Sequence, residues 1–192
     1  EMSDTTLVKK DISAAHMLQQ IHHILPLVKE ETGVDIRFLT AIRRIPLTLV
    51  KENITSSNYL TEAIQALKVV CKDPYVVGSD FVGEEINDIA ELKAVIKEIV
   101  TKIASEDRNW TIRVHAGEND SLKGNMAKAI QLIEHSLLPG QDFPYMRIGH
   151  GIYCAHLSSK QGKDLIEKIK EHNIVLEFQL TSNVRLNNII DL

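Results

Sequence analysis

Cysteine is scarce: the 192 residues hold two, Cys71 and Cys154, far apart and in no Cys-x-x-Cys spacing. That excludes a disulfide framework and a cysteine-ligated zinc, and both read as buried thiols. No stretch approaches the ~20 apolar residues needed to cross a bilayer, and the opening Glu-Met-Ser-Asp-Thr-Thr lacks the charged-then-apolar pattern of a secretion signal. Positive charge is not in excess either. Lys and Arg number 22 against 26 Asp and Glu, a formal charge of −4, with no basic run. This balance argues against a nucleic-acid footprint and against a polybasic membrane patch. No Gly/Ser linker or low-complexity segment divides the chain, and its five prolines and nine glycines fall mostly where connections are expected. What remains is 44% apolar and 25% charged, the make-up of a soluble globular protein able to bury a core; with no secretion signal in these residues it is expected to be cytoplasmic, or secreted should a leader precede them. Residues 1–192 are expected to form a single domain. The first residue is Glu1, which reads as a trimmed start.

Periodicity supplies the elements. Ile12, Met17, Leu18, Ile21, Ile24, Leu25 and Val28 predict a helix over 11–33, bent at Pro26 and ended by Gly33. The run Asp35 to Arg44 predicts a buried strand, after which helix and strand alternate. Leu60, Ala63, Ile64, Leu67 and Val70 lead into the strand Tyr75 to Gly78; Ile89, Leu92, Val95, Ile96, Ile99, Val100 and Ile103 lead into Trp110 to Val114. Met126, Ala129, Ile130 and Ile133 precede Tyr145 to Ile148, and Leu165, Ile166 and Ile169 precede Ile174 to Phe178. Five strands separated by amphipathic helices imply parallel pairing with right-handed crossovers, an α/β fold. Asp80, His115 and His150 stand 35 residues apart near successive strand ends. Equal units suggest either a (β/α) barrel, with the three side chains converging on one mouth, or a doubly wound sheet. A complete barrel takes ~250 residues, so a barrel here would lack pieces.

In Val114-His115-Ala116-Gly117-Glu118 an imidazole ends a strand and a carboxylate follows three residues later, with Gly117 letting the chain turn between them. Imidazole suits zinc, and a partly buried carboxylic acid can pass a proton to a substrate. Alternatively Glu118 caps the helix that begins near Leu122, and His115 is a satisfied core histidine. Arg147-Ile148-Gly149-His150-Gly151 repeats the arrangement one unit later, its glycines keeping the wall thin, or forming a simple turn. Gly78 to Glu85 offers a strand end, the backbone amide of Gly83 and an acidic pair, Glu84-Glu85, that reads as a solvated helix start. His22 and His23, adjacent on a helix and ~100° apart, are surface or interface residues rather than a metal site. Arg43-Arg44 and Thr181-Ser182-Asn183 could line the same mouth, the latter more in keeping with turn formation and capping.

Together, Val76 to Glu85, the Arg-Val-His-Ala-Gly-Glu of 113–118, the Arg-Ile-Gly-His-Gly of 147–151 and Leu176 to Asn183 resemble the adenosine deaminase family of zinc-dependent amidohydrolases. Order and spacing both fit over roughly residues 34–190, and the stretch Glu118 to Asn125 is similar to its growth-factor-like branch. The resemblance implies a (β/α)8 TIM-barrel-type fold of which only about five βα units are present, the strands being the third to the seventh. It implies that His115 is a zinc ligand, that Glu118 protonates purine N1, that His150 orients or deprotonates the zinc-bound water, and that the Gly83 amide donates to the purine ring. Zinc brings the pKa of its water toward ~7, giving a hydroxide to attack C6 of adenosine and yield inosine and ammonia.

The chain departs from the family pattern twice. It lacks the His-x-His of the first strand, since His16, His22 and His23 have the wrong spacing, and it lacks the Asp-Asp of the eighth. One imidazole does not hold zinc tightly, so these residues alone are expected to be metal-free or weakly metallated, and inactive. Five strands cannot close, so the open edges should be covered by self-association or by docking with the missing part of the barrel. The alternatives are an aminohydrolase acting on AMP or adenine, and a non-catalytic half-barrel that serves as a binding or interaction module. Cytidine-type zinc deaminases are set aside, because neither cysteine lies in a Pro-Cys-x-x-Cys pair.

Overall fold

Apolar residues that recur every three to four positions favour coiling, alternating ones favour extension, and the two patterns take turns along this chain. The computed structural model describes residues 2–3, 14–45, 56–107 and 109–185. Strand β1 (Met2–Ser3) is followed by helix α1 (Ala14–Thr32), β2 (Phe38–Arg43), α2 (Ser56–Val70) and β3 (Val76–Val82). Next come a 3-10 turn (Ile89–Leu92), α3 (Lys93–Glu98), a wider π-type turn (Ile99–Ile103) and β4 (Thr111–Ala116). A 3-10 turn (Asp120–Leu122), α4 (Asn125–Glu134), β5 (Tyr145–His150), α5 (Lys160–Glu171), β6 (Val175–Glu177) and α6 (Leu180–Arg185) complete the order.

Each strand pairs in parallel with the next, and the spatial order follows the chain order from β1 to β6. A doubly wound sheet reverses its strand order partway; a barrel does not. Sequential order therefore resolves the two readings in favour of an incomplete barrel-type α/β sheet. Because every right-handed crossover runs in the same direction, the helices gather on one face.

Several expectations need adjustment. The helix expected over 11–33 is described from Ala14 to Thr32, and residues 11–13, Ile12 included, lie outside the described residues. Pro26 lies within it, and Gly33 ends it at φ 72, its N–H donating to the Lys29 carbonyl at 2.9 Å. The sheet has six strands where five were expected, because a two-residue strand carries no alternation to read. The single helix expected from Ile89 to Ile103 is wound in three successive ways. Cys71 and Cys154 are free but only half-buried.

The core lies between sheet and helices. Ile112, Val114 and Ala116 of β4 and Met146 and Ile148 of β5 pack with Val95, Ile96, Ile99, Met126, Ile130 and Ile133, all at most 2% exposed. Each large aliphatic side chain so buried stabilises the fold by roughly 1.5–3 kcal/mol. Burial in β4 alternates strictly, so Thr111, Arg113 and His115 point to the opposite face, the barrel interior. On that same face Tyr145 and Val175 are 62% and 51% exposed. Among the described residues no helix is long and apolar enough to cross a membrane.

Candidate active site

β4 carries His115 on the open face and then turns sharply. Gly117 makes the turn possible: its φ is +74, and a Cβ there would lie 2.8 Å from the Tyr153 carbonyl oxygen and 2.9 Å from Met126 Sδ. The turn is clamped by Glu85. One carboxylate oxygen accepts the Gly117 N–H at 2.6 Å, and the other accepts those of Glu118 and Asn119 at 3.0 and 2.9 Å. Glu85 is only 5% exposed, so the acidic pair is not a solvated helix start; Glu84 alone faces water. Nor does Glu118 cap the next turn. Asn119 does so, accepting the Ser121 N–H at 2.9 Å, which leaves the Glu118 carboxylate free to face the site.

Arg44 runs beneath this turn, buried, with Nη2 donating to the His115 carbonyl at 2.6 Å. Burial pulls its pKa below the usual arginine value, against the opposing field of Glu85. Gly83, on the loop after β3, has φ +97, and a Cβ there would lie 3.0 Å from the Arg44 carbonyl oxygen. The structure thus places Gly83 on the neighbouring loop, two residues from the clamp.

His150 is the unexpected piece. In the β4–β5 ladder it pairs with Ala116 while His115 pairs with Gly149, so regular alternation would send its side chain among the helices with Met146 and Ile148. Its backbone leaves the extended region instead, at φ 75, a conformation that costs a non-glycine residue on the order of 1–3 kcal/mol. The ring consequently meets His115 edge to face, with centroids 5.2 Å apart. His150 Nε2 lies 3.6 Å from Glu118 Oε1, and Nδ1 lies 2.8 Å from Oδ1 of the fully buried Asn183. Asn183 Nδ2 donates to the Glu118 carbonyl at 3.4 Å. Thr181 to Arg185 is helical, so Asn183 is not the turn or cap residue expected of it.

Below the imidazoles lies a charged layer. Asp80, fully buried, accepts from Arg113 Nη1 and sits 3.4 Å from His115 Nε2. Arg113 Nε donates to Glu177 at 2.6 Å, and Arg147 pairs with the same carboxylate. Burial pushes the Asp80 carboxyl up, but the hydrogen bond and charge of His115, with Arg113, outweigh it and hold Asp80 below the usual carboxylate range. Burial lowers Arg113, and Glu177 and Asp80 raise it further than that. An open cavity of about 310 Å³ is lined by Arg37, Phe38, Leu39, Asp80, Arg113, Arg147 and Glu177. The 35-residue repeat does not place its members at one level. Asp80 is in register with Arg113 and His115 with Gly149, so they meet through strand stagger and side-chain reach.

A resident zinc finds too few donors here. Among the described residues no group of three or more His, Cys, Asp or Glu could hold a metal ion. His115 Nε2 has Asp80 Oδ1 on one side and Arg113 Nη1 at 2.6 Å on the other, and a guanidinium repels a second cation. His115, Glu118 and His150 are thus brought together, but these residues alone do not fit a tetrahedral site. Glu85 and Asn183 both build the site, although in the sequence the one reads as part of a solvated helix start and the other as a turn or capping residue. The position of an acid just past a strand end, and an amide just past another, were the available signals.

The adenosine deaminase family model matches residues 1–191. Over 115 residues the chain is 31% identical to an adenosine deaminase of Plasmodium falciparum (isolate 3D7), covering 59% of this chain and 25% of that protein. Over 114 residues it is 32% identical to an adenosine deaminase of Plasmodium vivax (strain Salvador I), covering 58% and 25% respectively. The chain therefore spans about a quarter of the length of the curated relatives it matches. No solved structure matches it.

Proposed function

Because the chain belongs to the adenosine deaminase family, we propose that its strands β2 to β6 are the third to seventh of a hydrolase that converts adenosine, or a related purine nucleoside, to inosine and ammonia. In this reading Glu118 gives a proton to purine N1, which draws electron density from C6. The attacking water loses a proton to His150 as its oxygen bonds to C6; His150 passes that proton to the exocyclic nitrogen, the C6–N bond breaks to release ammonia, and the C6 hydroxyl returns a proton to Glu118 as the carbonyl forms. The Gly83 amide donates to the ring. His115 is proposed as one ligand of the zinc that the family implies, with the remaining ligands supplied from outside the described residues.

The observation that carries this reading is the convergence of the three groups: Glu118 Oε1 lies 3.6 Å from His150 Nε2, whose ring touches that of His115. The test uses the gene product that carries these residues, purified in zinc-containing buffer and assayed for ammonia release from adenosine, AMP and adenine. Adenosine turnover is expected, with Glu118→Gln lowering kcat by about 10²–10⁴-fold. No ammonia from any of the three purines would refute the proposal. The Arg113 guanidinium at His115 Nε2 favours one second reading, a metal-free half-barrel that binds without catalysis, which predicts purine binding with no turnover at all. We further propose that the open face carrying Tyr145 and Val175 docks against the rest of a barrel or a second copy.

A further inference from the structure

Asn183 touches both His150 and Glu118, and we infer that it is a positioning residue that decides which nitrogen of His150 is free to act as a base. The orientation of its amide follows from its two partners. One end faces the Glu118 carbonyl oxygen at 3.4 Å, which can only accept, so the NH2 must lie there. The oxygen is then the end 2.8 Å from His150 Nδ1. An amide oxygen only accepts, so Nδ1 carries the hydrogen. Nε2 is left with its lone pair directed toward the side where Glu118 Oε1 stands 3.6 Å away. Asn183 is fully buried and His150 is 2% exposed, so water does not compete for either contact.

The same side chain answers the strain at His150. A left-handed backbone at φ 75 is held only where the surroundings over-determine it, and the bond from Asn183 ties the ring to α6. Because Asn183 also binds the backbone of Glu118, one amide sets the separation of the two groups. The single helical turn between β6 and the end of α6 brings it there, with the Asn183 N–H donating to Gln179 O at 3.0 Å.

The consequence for catalysis rests on the aminohydrolase reading; the tautomer does not. Long-range ¹H–¹⁵N spectra of the histidine rings in the full chain are expected to show His150 protonated at Nδ1 and bare at Nε2. Asn183→Leu should lose that preference, whereas Asn183→Asp, which keeps an acceptor, should hold Nδ1 protonated. In the gene product, Asn183→Leu should lower kcat on the order of 10–100-fold, as removal of a ring-orienting partner does, with KM changed far less. His150 protonated at Nε2 alone in the unmodified chain overturns the inference. So does an unchanged tautomer in Asn183→Leu, or a shifted tautomer with unchanged kcat. Should Asn183→Leu not fold, the unmodified chain and Asn183→Asp still decide it. Absence of any ammonia release while the Nδ1–H tautomer is observed would instead refute the aminohydrolase reading and leave the role of Asn183 toward His150 standing.

Discussion

Replacing Glu85 by Gln tests whether the turn that presents Glu118 is held electrostatically. The carboxylate accepts three backbone N–H groups, one on Oε1 and two on Oε2. A glutamine keeps only one oxygen, so its best orientation retains the Glu118 and Asn119 bonds and turns an NH2 toward the Gly117 N–H. A buried donor left facing a donor costs about 1–3 kcal/mol, and each retained bond falls from the charged to the neutral range, roughly another 1 kcal/mol. Arg44, 4% exposed and with the field of Glu85 opposing its desolvation, also loses that counter-charge. We expect a destabilisation of about 3–5 kcal/mol, the range for removing one member of a buried charged pair. For a domain of this size that lowers Tm by roughly 6–20 °C. The sole tryptophan, Trp110, is 1% exposed immediately before β4, so its fluorescence reports urea unfolding of the sheet next to the clamp. A midpoint that moves by less than the equivalent of about 1 kcal/mol at constant m would show that the three bonds are geometric coincidence.

Gly117→Ala should destabilise more than Gly140→Ala. Both sites have positive φ, but a Cβ at Gly117 meets Tyr153 O and Met126 Sδ while nothing lies within 4 Å at Gly140; the shared strain is about 1 kcal/mol, and equal losses in urea melts would contradict the packing argument. Asp80 has its folded pKa below the unfolded value, so its stabilisation is complete above about pH 4 and is lost as pH falls through the folded value. Urea midpoints of the unmodified chain should therefore drop in that acid window, and Asp80→Asn should flatten the drop while lowering stability at neutral pH. His22, 37% exposed and 2.6 Å from Asp73, joins α1 to the loop before β3, and His22→Ala is expected to shift stability by no more than about 1 kcal/mol.

The elements were legible because local patterns make them. Amphipathic spacing in residues 125–134 and 160–171, and alternation in 111–116, need nothing beyond neighbouring residues. Gly33 as a helix stop and the glycines at 117 and 151 were equally readable, since only a few residue types accept positive φ. The likeness of 113–118 and 147–151 to a deaminase was in the sequence as well.

Three things were decided only by the tertiary structure. Alternation alone would have sent His150 to the helix side, and only the left-handed turn at its backbone brings it beside His115. Glu85 and Asn183 looked like surface acid and turn residue, because their partners lie 32 to 34 positions away in sequence for the one and 33 and 65 for the other. Winding direction, too, came from strand order rather than from any strand. The reason is common to all three: periodicity encodes which side of an element meets the core, whereas hydrogen bonds between distant loops depend on how the sheet staggers and twists, which no local window contains.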